Sequence, residues 1–257
     1  MQTVTNWTGL KTFIHREIHR FLRVWIQSLI NPWINATLYI VVFGFIVGSK
    51  IDQIAGVSYI DFVLPGILML NIIRASFSQT SYSLYFQRFS RYIEEILVAP
   101  LSSVEMLLGY IAGGIARGFT VGLGVFVLAV LFSAANLAHF GWFVFYAIAV
   151  SIIFSLAGLI IGMWADDFEQ LSMVNTFIVT PFTFLGGVFN SINMLPENMR
   201  LLVKFNPFFY FVDGLRYSMI GIQESDPYVG FLVIFVLILI LSILVIHLFN
   251  IGWRVRE

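Results

Sequence analysis

Over residues 228–249 the only Asp, Glu, Lys, Arg or His is His247; the rest are apart from Tyr228 all Val, Leu, Ile, Phe, Gly or Ser. A helix made from such a run has no polar face to turn to water, and about 20 apolar residues suffice to cross some 30 Å of hydrocarbon. Five earlier runs follow the same rule, over about residues 32–48, 59–82, 106–132, 142–164 and 171–189. Composition agrees, with 59% of the 257 residues hydrophobic and 11% charged, against about 25% charged in soluble domains. Too few charges exist to coat a soluble surface. Fourteen Lys and Arg against fourteen Asp and Glu leave no basic excess for nucleic acid. The absence of cysteine excludes a disulfide framework, a thiolate metal site and a Cys nucleophile. The chain therefore reads as an all-α integral membrane protein, one transmembrane domain over residues 1–257 with six spans.

The first 28 residues are too polar for a cleavable signal peptide, so the first span is expected to remain as an anchor. Residues 201–222 are apolar but broken by Pro207 and by Asp213 with Arg216, which predicts a re-entrant element rather than a seventh span. With the N-terminus in the cytoplasm, the inner side receives Lys11, Arg16, Arg20, Arg23, Arg88, Arg91, Arg254 and Arg256. The outer side then receives Lys50, Arg200, Lys204 and Arg216. Basic residues favour the cytoplasmic side, so both termini are expected inside.

Residues 1–28 hold a basic amphipathic helix. Trp7, Leu10, Phe13, Ile14, Phe21, Leu22 and Trp25 recur at helical spacing, and Lys11, His15, Arg16, His19, Arg20 and Arg23 take the other face. Such a helix lies along a membrane surface, as a plain anchor or as a brace that also meets a cytoplasmic partner. His15 and His19 have a metal-compatible spacing but no further ligands nearby, and are assigned to the solvated face. A second short helix, over 86–101, places Arg88 and Arg91 ahead of Glu94 and Glu95, with Phe89, Ile93, Ile96 and Leu97 on an apolar face and Pro100 as the stop. It fits a partner's groove, or is a simple interfacial loop helix. The acidic loop at 166–170 is assigned to a solvated turn.

No G-x-x-x-x-G-K-[ST] nucleotide loop, H-E-x-x-H or G-x-S-x-G is present. Arg74 and Arg117 are the ionisable groups expected deep in spans, where an arginine marks either a pathway or structural pairing. The glycine spacings 109/113, 114/118/122 and 158/162 predict close helix packing, within or between chains.

These features resemble, in their order along the chain, the membrane subunits of ABC transporters of the ABC-2 permease family. The residues that carry the resemblance are Glu94-Glu95-Ile96-Leu97-Val98-Ala99-Pro100, Pro181-Phe182-Thr183-Phe184-Leu185-Gly186-Gly187-Val188-Phe189, and Asn206-Pro207-Phe208-Phe209-Tyr210-Phe211-Val212-Asp213-Gly214-Leu215-Arg216. The resemblance implies that Arg88, Arg91, Glu94, Glu95, Leu97 and Pro100 form a coupling helix seated in a separate ATP-binding cassette subunit. It implies that 190–222, with Gly186, Gly187, Asn206, Pro207, Tyr210, Asp213 and Arg216, forms outer re-entrant helices near the exit. It implies two permease copies with two ATPase subunits in a bacterial inner membrane. ATP and Mg would belong to the partner, leaving this chain without a catalytic site, cofactor or metal of its own. Arg74, Arg117, Phe177 and Phe182 are the candidates for lining the pathway or for packing. The expected function is an ATP-driven exporter of a drug-like or lipid-like substrate, with polysaccharide or lipid-linked glycan export as the alternative. An ion-coupled transporter would need buried carboxylates or inverted repeats, and an embedded enzyme a convergent nucleophile or metal site. The sequence displays neither.

Overall fold

The computed structural model of the chain describes residues 6–51, 53–132 and 137–255. Arg256, counted above on the inner side, lies outside the described residues. The first helix, α1 (Trp7–Arg23), is capped by Asn6, whose side chain accepts the Gly9 N–H. A continuous rod follows, running from a π-helical Ile26–Ile30 through α2 (Asn31–Tyr39) into a second π-helical stretch, Ile40–Val47. A small antiparallel hairpin, β1 (Gln53–Ile54) with β2 (Val57–Ser58), pairs Gln53 with Ser58 and Ile54 with Val57. Its turn residues Ala55 and Gly56 both have positive φ, as a two-residue hairpin of matching twist requires.

The long helix α3 (Tyr59–Phe89) is capped by Ser58, and α4 (Ile93–Val98) follows it closely. Two further long helices are α5 (Ser103–Phe132) and α6 (Phe140–Trp164). Then come α7 (Phe168–Val174), a π-helical Asn175–Val179 and α8 (Thr180–Leu185) in one broken rod. The segment after α8 contributes a 3-10 turn at Ile192–Met194, α9 (Glu197–Phe205) and α10 (Pro207–Ile220). The chain closes on α11 (Pro227–Ile251).

Among the described residues, five helices are long and apolar enough to cross a membrane: the rod Ile26–Val47, α3, α5, α6 and α11. The run expected over 171–189 is instead the α–π–α rod from α7 to α8. Pro181 sits at its second interruption, and Gly186 with Gly187 ends it.

The centre of the bundle is α3, buried along nearly its whole length against α5, α6 and α10. Small residues allow this closeness. A Cβ on Gly118 would stand 2.2 Å from Ser76 Oγ, and one on Gly158 would stand 2.6 Å from the Phe77 carbonyl. The helices also exchange polar contacts across the seam, since Thr80 Oγ1 donates to the Ser155 carbonyl at 2.8 Å and Ser76 Oγ to the Gly114 carbonyl at 3.2 Å. Between helices in lipid, where no hydrophobic force drives association, such packing and bonding hold the bundle. The glycine spacings of the third and fourth runs thus serve contacts within one chain. Gly118→Leu and Gly158→Leu should each destabilise the detergent-solubilised protein by about 1–3 kcal/mol or more through overpacking. Thermal melting followed by tryptophan fluorescence measures it, and unchanged midpoints for both would contradict the seam.

Candidate functional site

Three polar constructions stand out in a chain otherwise made of apolar helices. The first joins α1 to the C-terminal half of α3 and the N-terminal part of α5. Leu10, Phe13, Glu17 and Phe21 form the buried stripe of α1. Glu17 accepts Ser83 Oγ at 2.7 Å and Gln87 Nε2 at 3.0 Å, and Tyr110 donates to Gln87 Oε1 at 2.5 Å. Arg16 and Arg20 each approach the Glu17 carboxylate at 3.6 Å. Arg20 also donates to the Gln79 carbonyl at 2.8 Å. Burial pulls the Arg20 guanidinium below its ordinary range, while the Glu17 charge acts to raise it. Arg20 was assigned to an outward polar face, and the structure turns it inward onto α3. Glu17 was overlooked, although residues 10, 13, 17 and 21 share one helical stripe.

Beside this anchor, Arg91 takes a positive φ of 59° that breaks α3 from α4. Ile93 and Ile96 bury α4 against Phe13, Leu84 and Met106. The opposite side of α4 is open: Glu94 and Glu95 are exposed, as are Tyr92 and Val98, with Leu97 half-buried and Pro100 closing the turn. Neither Glu94 nor Glu95 has an ion-pair partner among the described residues. A cleft of about 430 Å³ separates α4 from α1, between Glu95 and Pro100 on one wall and Thr12 and Arg16 on the other. Arg88 stands apart from this surface. It ends α3 and donates to the Gly162 and Ala165 carbonyls at 2.9 and 3.0 Å, capping α6. Phe89, expected on the inner apolar face, is exposed and stacks toward Tyr85 and Phe168.

The second construction lies at the other end of the helices. Arg216 is fully buried on α10, its guanidinium 3.8 Å over the Phe62 ring. It donates to the Phe62 carbonyl at 3.3 Å and to the Gly187 carbonyl at 2.5 Å. Its nearest carboxylate is Glu224 at 3.5 Å, with Asp213 at 4.0 Å. Asp213 chiefly accepts the Glu224 N–H at 2.9 Å and the Ser225 N–H at 2.8 Å. The expected Asp213–Arg216 pair is therefore a three-membered cluster whose strongest link, Glu224, sequence reasoning missed. Gly187 is left-handed, with φ 84°, which aims its carbonyl at Arg216. Asn206 caps α10 through the Phe208 N–H and donates to the Phe182 carbonyl at 2.7 Å, with Pro207 at the first helical position. Gly186 packs against Phe208, and Tyr210 reaches out to the Lys204 carbonyl at 3.0 Å. Six of the seven residues singled out in this region thus meet around one junction, Tyr210 lying at its edge.

The third is a polar cavity of about 390 Å³ between the rod 26–47, α3, α5 and the broken rod 168–185. Arg74 and Arg117 both line it, together with Asn71 and Asn175. An arginine at the centre of a membrane helix costs about 2.5–3.5 kcal/mol on insertion scales, so two that share one cavity need polar surroundings. Phe177 and Phe182 do not line it. Phe177 is 73% exposed on the outer surface of the broken rod, and Phe182 leans on Phe208.

The sequence model described as ABC-2 type transporter matches residues 8–220. YadH, an inner membrane transport permease of Escherichia coli K12, is 39% identical over 233 residues, covering 90% of this chain and 91% of its own length. Nodulation protein J of Rhizobium meliloti is 26% identical over 205 residues, 77% of this chain and 76% of that protein. Nodulation protein J of Rhizobium leguminosarum bv. trifolii is 25% identical over 221 residues, 83% of this chain and 82% of that protein.

Two substitutions check the buried charges. Arg216→Met leaves Asp213 and Glu224 without their cation and should cost about 3–5 kcal/mol. Glu17→Ala strands the Ser83 and Gln87 donors and leaves the buried Arg20 Nε without its facing carboxylate, and should cost about 1–3 kcal/mol. Both are read as lowered melting midpoints in detergent, with Arg216 expected to be the larger loss.

Proposed function

The chain belongs to the ABC-2 type transporter family, and on that premise we propose that it is the membrane subunit of an ATP-driven exporter. The energy enters from a separate ATP-binding cassette subunit, which family membership implies and which this sequence, without a nucleotide loop of its own, requires. The single observation that carries the coupling assignment is the open face of α4. Two unpaired carboxylates, Glu94 and Glu95, stand there beside Tyr92 and Val98, on a six-residue helix clamped from behind by Ile93 and Ile96. A rigid, charged and partly apolar knob is the shape that seats in a partner's groove. Ile93 and Ile96 pack α4 into the cluster that holds Phe13 of α1, Leu84 of α3 and Met106 of α5, so a push on α4 meets the packing these helices share. Arg91, Leu97 and Pro100 set the ends of the knob rather than its charge.

Two copies of this chain with two ATPase subunits complete the transporter in this reading. Six spans, the broken rod 168–185 included, put both termini in the cytoplasm of a bacterial inner membrane, with α9, α10 and the Arg216 cluster on the outer side. ATP closing the partner dimer moves α4, and the packed helices pass between inward-facing and outward-facing states. An amphipathic, drug-like or lipid-like substrate suits a polar cavity walled by apolar rods. Export of a glycan is the competing outcome, and stimulation of the complex by a lipid-linked saccharide but by no lipid or drug would select it.

Exchange of Glu94 and Glu95 for Lys tests coupling. Complex assembly or substrate-stimulated ATP hydrolysis should fall at least about tenfold, a change worth some 1.4 kcal/mol. Wild-type levels of both would refute the assignment. The chain contains no cysteine, so topology can be mapped directly. In intact cells an impermeant maleimide should label Leu202→Cys and leave Val98→Cys unlabelled until the membrane is opened, and the reverse pattern would invert the orientation.

A further inference from the structure

The cavity between α3, α5 and the two flanking rods is cationic and incomplete. Arg74 is the sixteenth residue of α3 and Arg117 the fifteenth of α5, each near the midpoint of a helix long enough to span the bilayer. Arg74 donates to Thr180 Oγ1 at 2.9 Å. Arg117 has no hydrogen bond or ion pair among the described residues, and its Nε is buried without an acceptor. Asn175 Oδ1 is buried there without a donor. No Asp or Glu is among the residues lining the cavity, where the remaining polar groups are amides and hydroxyls, Asn71 and Ser78 among them.

Buried guanidinium nitrogens without an acceptor occur at Arg20 and Arg216 as well, but there a carboxylate stands close by. Arg216 has Glu224 and Asp213, Arg20 has Glu17, and Arg254 has Asp166 at 2.9 Å. The pair at mid-bundle has no counter-charge among the described residues. A guanidinium presents five N–H donors in a planar fork that matches an oxyanion, and two of them in a low-dielectric cavity hold an anion far better than they would in water. The volume of about 390 Å³ admits a phosphoryl group with its waters. The walls beside it are apolar outside: Ile34 and Leu38 on the first rod and Phe177 and Ile178 on the second are all more than half exposed. An anionic head can therefore sit between the arginines while hydrocarbon lies against the rods.

We propose that Arg74 and Arg117 bind an oxyanion, a phosphoryl group by chemistry, as the head of the exported molecule. This deepens the exporter reading and rests on it, naming an anionic amphipath as the substrate class. Arg117 is the main anion ligand, Arg74 the second, and Asn71 and Ser78 add neutral donors. The Asn175 amide positions the site from the broken rod.

The test uses the purified full-length chain in detergent, with thermal stabilisation and native mass spectrometry as readouts. The probes are phosphatidic acid, a diacylglycerol of the same acyl chains, and inorganic phosphate. Phosphatidic acid should bind at least about tenfold more tightly than diacylglycerol. The double variant Arg74→Gln with Arg117→Gln should lose that difference, although the α1 cations remain in place. Arg74→Lys with Arg117→Lys keeps the charge and should retain a clear preference, at reduced affinity because the fork is lost. Each single Gln variant should lose part of it, which guards against a double variant that does not fold. Preference for phosphatidic acid assigns the anion to a lipid-borne head, whereas protection by inorganic phosphate alone assigns it to a free oxyanion and overturns the amphipath. Equal binding of phosphatidic acid and diacylglycerol, or undiminished preference in the folded Gln variants, overturns the site. No ATP or partner is involved, so failure here leaves the Glu94 and Glu95 test standing, and failure there leaves this one readable.

Discussion

Everything in the bundle depends on how closely α3 approaches α5 and α6. Glycines at 118 and 158 and hydroxyls at 76, 80 and 155 let the backbones come within a side-chain radius of each other. Larger residues there would separate the helices, and the consequences would spread well beyond the seam. Arg74 and Arg117 would no longer share a cavity, and Glu17 would lose the Ser83 and Gln87 that partner it from α3. In water, apolar burial could compensate for a loosened contact; in lipid the solvent is as apolar as the side chains, so contact geometry carries the energy.

Charge is distributed with the same economy. Among the described residues, three groups of ionisable side chains within the bundle are treated differently. At the C-terminal end of α3, Glu17 answers the cations of α1 and receives two neutral donors, which pins the helix to α3. At the opposite end of the bundle, Arg216 is held by two carbonyls, two carboxylates and an aromatic face, which locks α10 to the start of α3. In both clusters carboxylates face the cations, although Arg20 Nε and Arg216 Nη1 are buried without a hydrogen-bond acceptor. Only the middle pair lacks a counter-charge, and the ends of the framework keep it in place without neutralising it.

Much of this was legible in the sequence. Long apolar runs declare helices because hydrocarbon tolerates no unpaired backbone groups. Four-residue glycine spacing declares close packing, and arginines inside apolar runs declare something costly. The Asp213–Arg216 spacing was visible too, as one turn of helix. What escaped depends on the return of the chain through space. Glu224 meets Arg216 only because the segment after α10 doubles back, and no period links them. Arg88 lies beside Arg91 in sequence, but α3 continues through Phe89 and directs Arg88 to the end of α6 instead of into α4. Glu17 did carry a signal, its stripe with Leu10, Phe13 and Phe21, masked by the cations on either side. The break in the run over 171–189 was masked for another reason: its residues are apolar enough for a helix, and only the position of Pro181 hints that the ladder of hydrogen bonds widens.

That widening has a mechanical meaning. The two rods that wall the cavity are the ones with π-helical turns, at Ile26–Ile30 and Asn175–Val179, and each of those turns contributes a polar lining residue, Gln27 and Asn175. A wide turn holds one residue more than an α turn. Sliding it along the rod by one register leaves the hydrogen-bond ladder intact, yet rotates the side chains it passes by roughly 100° about the helix axis. The helices α3 and α5 carry no π-helical turn. The two cations thus stand on helices without wide turns, between two walls that have them.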